Sequence, residues 1–305
     1  MDRDSCLIIG TGALATLFAA RLSAAKTNVT ILGSWKAALE VFQHNGAQIE
    51  CEQPFPVNAI SSPVGISSVH KSIVLVKSTN TYKAAQQLNT CLEENGCVLT
   101  LQNGLGNPEV LASYLGGKRF FSGVTTIGAR LISPGLVKIS GKSTIWIENH
   151  PKAESFARML RNGGFKVTIV KDIQPYRWKK LIVNCAINPL TAILRVKNGE
   201  LLDDPLALIM MERLVEESVK VSEAANIHLG LKDPCNLVKK VARETSENSS
   251  SMLQDIQRGV STEIDALNGE IVRLGEIYGV DVSHNKLVYK LVKKRNKISS
   301  AELSD

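Results

Sequence analysis

The first half of the chain alternates short apolar runs with segments whose apolar residues recur at helical spacing. Strand-like runs lie at Ser5–Ile9, Asn28–Leu32, 73–76, 97–101 and Lys166–Val170, and helical spacing follows Gly12 and recurs at 81–92 and Ala153–Asn162. Residues 123–147 have the composition of further strands. Strands that alternate with helices are typical of a parallel sheet covered on both faces. The pattern therefore predicts a doubly wound α/β domain over residues 1–170.

The second half shows helical spacing alone. Helical patterns cover residues 178–194, 205–226, 237–245, roughly 251–278 and 284–297. The fourth keeps the 3/4 spacing of a core-facing helix, although Gly259 and Ser261 can break it. We therefore predict an all-helical second domain over residues 171–305. A length of 305 residues, where single cores tend to divide, also favours two domains.

A glycine motif lies between the first strand and the first helix. The residues are Gly10, Thr11, Gly12, Ala13, Leu14 and Ala15. Gly10 permits a tight turn, Gly12 lets the backbone approach a pyrophosphate, and Ala15 is small enough for close packing of helix on strand. The motif in this context predicts a Rossmann-type dinucleotide site with the phosphates at the helix N-terminus. The alternative is an ordinary glycine turn.

The residues after the second strand favour NADP over NAD. An acidic residue there would bind the ribose hydroxyls of NAD, but the chain has Ser34 and Lys36, and no carboxylate appears before Glu40. Ser34 and Lys36 can bind a 2′-phosphate, unless both simply face solvent. Lys77 and Asn103 also follow predicted strands, at the sheet edge where ligands bind, with a solvated lysine and a turn residue as the alternatives.

A polar stripe runs along an otherwise apolar predicted helix in the second half. Lys180, Asn184 and Asn188 are spaced at i, i+4 and i+8, which places them on one face. Such a stripe usually faces a cleft, although Lys180 can instead reach solvent while the amides bind nearby backbone. Reduction of a carbonyl requires a proton donor beside its oxygen. Because the chain has no Ser-Tyr-x-x-x-Lys pattern, Lys180 is the best candidate.

Composition limits the remaining possibilities. The net charge of +7 comes from dispersed basic residues without interleaved aromatic ones, which argues against a nucleic-acid partner. Six scattered cysteines show no metal-binding spacing, and no apolar run is long enough for a membrane span. The N-terminus, which opens with Asp2, Arg3 and Asp4, does not resemble a signal peptide. We therefore expect a soluble cytoplasmic protein without a bound metal. The sequence leaves its state as monomer or homodimer open.

Several motifs in a fixed order resemble the ketopantoate reductase (2-dehydropantoate 2-reductase) family over nearly the whole chain. They are the glycine motif, Gln102-Asn103-Gly104-Leu105-Gly106, Gly123-Val124-Thr125-Thr126, Trp178-Lys179-Lys180-Leu181 through Asn188-Pro189-Leu190-Thr191-Ala192, Asn198-Gly199-Glu200-Leu201, Ser250-Ser251-Met252-Leu253-Gln254-Asp255 and Thr262-Glu263-Ile264-Asp265. The resemblance implies NADPH-dependent reduction of 2-dehydropantoate to (R)-pantoate, a step of pantothenate and coenzyme A synthesis.

The resemblance also implies roles for individual residues. Lys180 would protonate the nascent alkoxide, and Glu263 would lie near the cofactor and the reacting centre, although alone it is more simply a solvated helix carboxylate. Substrate-contacting positions would be Asn103, Asn184, Asn188, Asn198 and Ser251, and further cofactor contacts would come from Lys77, Asn103, Ala129 and Glu263. Asn198 could otherwise belong to a simple turn.

Departures from the family pattern leave two alternatives open. Ala15 replaces a common glycine, Ile127 a common histidine, and Ser34 a common arginine, which bears on the choice between NADPH and NADH. The first alternative is a reductase of the same family that acts on another 2-oxo acid. The second is a non-catalytic NADPH-binding sensor, which would not need the residues of the second half.

Overall fold

A computed structural model describes residues 5–66, 68–140 and 144–302, and the chain divides into two compact units. One unit comprises the chain up to Gln102 together with Asn107–Ile173. The other comprises Asn103–Gly106 together with the chain from Gln174 onward, so a short loop from the first half of the sequence belongs to the second unit.

The first unit is an α/β fold, as the sequence predicts. Its strands are β1 (Ser5–Ile9), β2 (Asn28–Leu32), β3 (Gln48–Ile49), β4 (Asn58–Ile60), β5 (Val69–Val74), β6 (Leu92–Thr100), β7 (Phe120–Thr125), β8 (Gly128–Ser133), β9 (Leu136–Ser140), β10 (Thr144–Glu148) and β11 (Lys166–Val170). Its helices are α1 (Ala13–Ala24), α2 (Lys36–Asn45), α3 (Thr81–Cys91), α4 (Asn107–Leu115) and α5 (Ala153–Asn162).

Eight of these strands form one mostly parallel sheet in the order β11-β10-β7-β6-β5-β1-β2-β4. The exceptions are β10 and β11. They are parallel to each other, but β10 pairs antiparallel with β7, so the sheet is not wholly parallel. Three strands, in the order β3-β9-β8, form a separate small sheet. The run predicted at 73–76 is also shifted, since β5 ends at Val74. The apolar side chains of β1 and β2 lie in two buried clusters on opposite faces of the large sheet.

The second unit is helical. Its helices are α6 (Gln174–Leu194), α7 (Pro205–Ala224), α8 (Pro234–Glu244), α9 (Ser251–Gln257), α10 (Glu270–Tyr278) and α11 (Ser283–Glu302). Local sequence explains two of the starts: Asp204 and Asp233 accept hydrogen bonds from first-turn N–H groups, and a proline follows each of them. Helix α8 begins at Pro234 because Asp233 caps it, although the apolar spacing starts only at residue 237.

The predicted helix at 251–278 is interrupted. Helix α9 ends before Gly259, which has a φ of +64°, and a π-helical turn at Asp265–Gly269 precedes α10. The apolar spacing could not predict this because Ile264, Leu267 and Ile271 are buried in the interrupted segment too. In residues 5–66, 68–140 and 144–302, the helices all fall short of the length or the apolar content needed to cross a membrane.

Candidate active site

Helix α6 carries Lys180, Asn184 and Asn188 in one stripe, and it begins at Gln174 rather than at Trp178. Its other faces are buried in the core of the helical unit through Trp178, Leu181, Ile182, Cys185, Ala186 and Ile187. Lys180 and Asn184 are half-buried, and Asn188 is 8% exposed. Successive members of the stripe are separated by about 6 Å along the helix axis. The stripe thus presents one ammonium and two amides in a row.

The loop Asn103–Gly106 brings a second polar group to this unit. Gly104 has a φ of +80°, and a Cβ there would overlap the carbonyl oxygen of Ala266. The Leu105 N–H donates to the same oxygen at 3.0 Å. This packing sets Asn103 beside the segment before the π turn, where its Nδ2 donates to Glu263 Oε2 at 3.2 Å. Two predicted site residues far apart in sequence are therefore hydrogen-bonded.

Glu263 also acts on Lys180 through its charge. Burial lowers the pKa of Lys180 to about 8, and the negative charge of Glu263 opposes this shift. A lysine with a pKa of about 8 is mostly protonated at neutral pH, yet it gives up its proton more readily than a lysine in solvent. The Lys180–Glu263 pair can therefore supply a proton to an acceptor oxygen.

Asn198 begins a short turn between α6 and α7 and is 8% exposed. Its Nδ2 donates to Thr245 Oγ1 at 2.9 Å, and its backbone N–H donates to Asn248 O at 3.0 Å. Its Oδ1 is buried and has no hydrogen-bond partner among the described residues. Asn198 therefore has one acceptor that the described residues leave unpaired.

Ser251 is the exposed first residue of α9, and its position depends on the preceding residue. Ser250 caps α9 by accepting from Leu253 N at 3.1 Å, and its hydroxyl is hydrogen-bonded to that of Thr191 on α6 at 2.7 Å. This link ties Ser251 to the C-terminal end of the Lys180 helix. The sequence analysis gave neither Ser250 nor Thr191 a role, although a serine before a helical pattern is a recognisable N-cap signal.

The glycine motif of the first unit fits a dinucleotide pyrophosphate. Gly10 has a φ of +135°, and a Cβ there would lie 2.9 Å from Leu75 O. Gly12 is the N-cap of α1, and a Cβ there would meet nothing within 4 Å. The first turn consists of Ala13, Leu14 and Ala15. Open space before uncapped N–H groups, with no carboxylate in that turn, suits an anion.

The other predicted cofactor residues also lie in the first unit. Ser34 and Lys36 are exposed where β2 leads into α2, so a helix N-terminus adds to the Lys36 charge. Lys77 is half-buried and follows β5, just before a 3₁₀ turn. Ala129 lies on β8 of the small sheet, which packs against α1. In the described part of the chain, no group of His, Cys, Asp or Glu side chains could hold a metal ion.

Comparisons with known proteins match both halves of the chain. A family model described as ketopantoate reductase PanE/ApbA matches residues 6–152, and one for the C-terminal part of the same family matches residues 172–296. The 2-dehydropantoate 2-reductase of Archaeoglobus fulgidus is 35% identical over 297 residues, which cover 94% of this chain and 96% of that protein. The enzyme of the same name from Pyrococcus horikoshii is 32% identical and covers 95% of this chain and 97% of its own length.

Solved structures share the fold. A PanE/ApbA family ketopantoate reductase from Ralstonia eutropha JMP134 superposes with a TM-score of 0.89 at 28% identity, covering 97% of this chain and 99% of its own. A ternary structure of D-mandelate dehydrogenase with NADH and anilino(oxo)acetate gives a TM-score of 0.89 with the same coverage, but at 24% identity it supports the fold alone.

Proposed function

Because the chain belongs to the ketopantoate reductase family, a family of dinucleotide-binding oxidoreductases, we propose that it reduces 2-dehydropantoate to (R)-pantoate with NADPH. This reaction is a step of pantothenate and coenzyme A synthesis. The observation that carries the proposal is the grouping of Lys180, Glu263 and Asn103 within one unit, with a direct hydrogen bond between the last two.

The first unit binds the cofactor in this proposal. The N-terminus of α1 at Gly12 holds the pyrophosphate, and Ser34 and Lys36 hold the 2′-phosphate. When bound, the dinucleotide supplies a hydride to the carbonyl carbon of the substrate. Residues 1–170 are thus the NADP-binding domain and residues 171–305 the substrate and catalytic domain, with the loop Asn103–Gly106 grouped with the latter.

Lys180 donates the proton that the reaction requires. As the carbonyl carbon is reduced, negative charge grows on its oxygen, and a nearby ammonium both stabilises that charge and neutralises it by proton transfer. The pKa of about 8 keeps Lys180 protonated at neutral pH while it remains a good acid. Glu263 raises the protonated fraction of Lys180 and, through Asn103, fixes an amide beside the reacting group.

Neutral donors bind the remainder of the substrate. The amides of Asn184 and Asn188 extend the stripe beyond Lys180, and a carboxylate can accept hydrogen bonds from them without deprotonating or displacing the acid. The exposed hydroxyl of Ser251 suits the hydroxyl group of a 2-oxo acid such as ketopantoate. The resemblance to the family adds Asn198 as a further substrate contact.

The test is the decay of NADPH absorbance with ketopantoate, compared with NADH and with a panel of other 2-oxo acids. We expect rapid oxidation of NADPH that is selective for ketopantoate. Equal or faster turnover of another 2-oxo acid would assign the chain to that substrate instead. If NADPH binds and no carbonyl compound is reduced, the proposal is wrong and a sensor is the better description.

A further inference from the structure

We propose that Asn268 is a positioning residue, which holds the segment that carries Glu263 against the helix that carries Lys180. It does so by donating a hydrogen bond to the backbone carbonyl of Cys185, the residue next to Asn184 on α6. The inference rests on the roles proposed above for Lys180 and Glu263, but it concerns a residue to which neither the motif resemblance nor the site geometry assigns a function.

Pro189 creates the acceptor that Asn268 uses. In an α-helix, the carbonyl of Cys185 would accept from the N–H of residue 189, but a proline has no N–H group. The carbonyl is fully buried with its residue, and a buried carbonyl without a donor is costly. Asn268 Nδ2 supplies the donor at 3.0 Å. The carbonyl that lacks its helical hydrogen bond therefore lies, in sequence, between Asn184 and Asn188 of the Lys180 stripe.

A π turn lies between Glu263 and the end of this segment. The Gly269 N–H donates to Ile264 O, a hydrogen bond across five residues that adds one residue to the turn. Asn268 lies within the turn, and Glu263 lies two residues before it begins. One short segment therefore carries both the Asn268 amide, which binds α6, and the Glu263 carboxylate.

The side chain of Asn268 belongs to a wider network of hydrogen bonds with Asn285 and Glu217. The second amide hydrogen of Asn268 goes to Asn285 Oδ1 at 2.9 Å, and Asn285 Nδ2 donates to Glu217 Oε2 at 2.8 Å. Glu217 also accepts from the backbone N–H groups of His284 and Asn285, both at 2.9 Å. Asn268 and Asn285 are fully buried. Both amide hydrogens of Asn268 therefore have acceptors, although its Oδ1 has no hydrogen-bond partner among the described residues. The direction of these bonds favours one orientation of the Asn268 amide.

Contacts on several sides hold the Glu263 segment, and Asn268 supplies the one to α6. Asp265 of this segment accepts hydrogen bonds from Tyr289 and Lys293 of α11. The loop Asn103–Gly106 holds it through Leu105 N and the Ala266 carbonyl, and Asn268 holds it to α6. Without Asn268, the segment keeps the other contacts and loses the one to α6. We expect Glu263 to move relative to Lys180 while its hydrogen bond to Asn103 persists.

The experiment is an NMR titration of Lys180 in protein labelled at the lysine side chains, with the signal assigned from Lys180→Arg. The wild-type midpoint is expected near the pKa of about 8. Asn268→Ala should lower it because the Glu263 charge then gives Lys180 less support. Glu263→Gln should lower it too, and the double variant should match Glu263→Gln alone. An Asn268→Ala midpoint equal to the wild-type value, while Glu263→Gln moves it, would overturn the proposal.

A variant that restores the helical donor of the Cys185 carbonyl tests whether Asn268 only satisfies that carbonyl or also positions Glu263. Pro189→Ala gives Cys185 its helical partner back, so Asn268→Ala/Pro189→Ala should recover thermal stability but keep the lowered midpoint. Recovery of both would reduce Asn268 to a structural residue. Val221→Ala, a truncation of another fully buried side chain in the same core, is the control for lost stability and should leave the midpoint unchanged. If Asn268→Ala does not fold, Asn268→Ser replaces it in every comparison.

Kinetics complete the test where turnover is measurable. Asn268→Ala should lower kcat with ketopantoate by about 10- to 100-fold, as expected for a small displacement of a reacting group, with the Kd of NADPH unchanged. The NMR midpoint requires no turnover. An inactive wild-type protein would therefore refute the proposed function, while the midpoint of Asn268→Ala would still decide the role of Asn268.

Discussion

The two units carry their candidate chemistry in different ways. In the first unit the proposed cofactor site is mainly backbone: a glycine that leaves space, a tight turn and the N-terminus of α1. In the helical unit the proposed site consists of side chains from separate segments: Asn103 in its loop, the stripe on helix α6 and Glu263 shortly before the π turn. Backbone sites depend on local sequence, whereas side-chain sites depend on how distant segments pack. Substitutions in the two units should therefore fail in different ways.

The largest effect is expected from Lys180→Ala. Loss of the acid should lower kcat by about 10²–10⁴-fold, while the Kd of NADPH, measured by its fluorescence, stays within about twofold. Lys179→Ala is the matched control, because Lys179 is a half-buried neighbour on the same helix that lies over the Tyr176 ring. Turnover of Lys180→Ala at the wild-type rate would remove Lys180 from the mechanism.

Gly12→Asp should weaken cofactor binding, whereas Lys180→Ala should slow turnover. A Cβ at Gly12 would meet nothing within 4 Å, so the protein should fold, and aspartate at an N-cap should even stabilise α1 slightly. The carboxylate would take the first N–H groups and repel the pyrophosphate, which should weaken NADPH binding by about 10- to 1,000-fold. Gly12→Asn is the neutral control of equal size. Similar losses for both variants would show that space, not charge, decides binding.

Ser34→Asp tests the choice of cofactor. A carboxylate there would repel a 2′-phosphate and bind ribose hydroxyls, so the ratio of kcat/KM for NADPH to that for NADH should fall by about 10- to 30-fold. The neutral variant Ser34→Asn should change the ratio much less. An unchanged ratio in Ser34→Asp would mean that Ser34 does not face the 2′-phosphate.

The smallest effects are expected at two neighbouring serines of the helical unit, whose roles differ. Ser250→Ala removes the cap of α9 and the partner of Thr191, so it should lower the free energy of unfolding by about 1 kcal/mol in urea. Ser251→Ala removes an exposed hydroxyl, so it should leave stability unchanged and raise the KM for ketopantoate. If Ser251→Ala also lowers stability, the division of roles between the two serines is wrong.

Much of the first unit could be predicted because its elements are defined locally. The strands Ser5–Ile9, Asn28–Leu32 and Lys166–Val170 and the helix Ala153–Asn162 have the bounds that the apolar pattern predicts. The small sheet was not predicted, since β3 has only two residues and pairs with β9, far away in sequence. The antiparallel direction of β10, which lies almost wholly within the predicted strand region 123–147, was not predicted either, because strand direction depends on a partner and not on local composition.

The helical unit could be predicted in outline but not in its detail. Spacing alone predicts the stripe of Lys180, Asn184 and Asn188, and the resemblance to the ketopantoate reductase family, which the comparisons confirm, added Glu263. The π turn leaves no mark in the apolar spacing, so the position of Asn268 within it was not predicted. Pro189 leaves the carbonyl of Cys185 without its helical donor, and only the fold identifies Asn268 as the residue that supplies one.

The pH dependence of kcat with saturating NADPH and ketopantoate tests the central claim, that Lys180 is the proton donor, most directly. Because burial lowers the pKa of Lys180 to about 8 and the acid must be protonated, kcat should be constant below that pH and fall up to tenfold per unit above it. In Glu263→Gln the fall should begin at lower pH, since the charge that supports the ammonium is gone. A profile that stays flat from pH 6 to pH 10, in stably folded protein, would contradict the assignment of Lys180 as the acid.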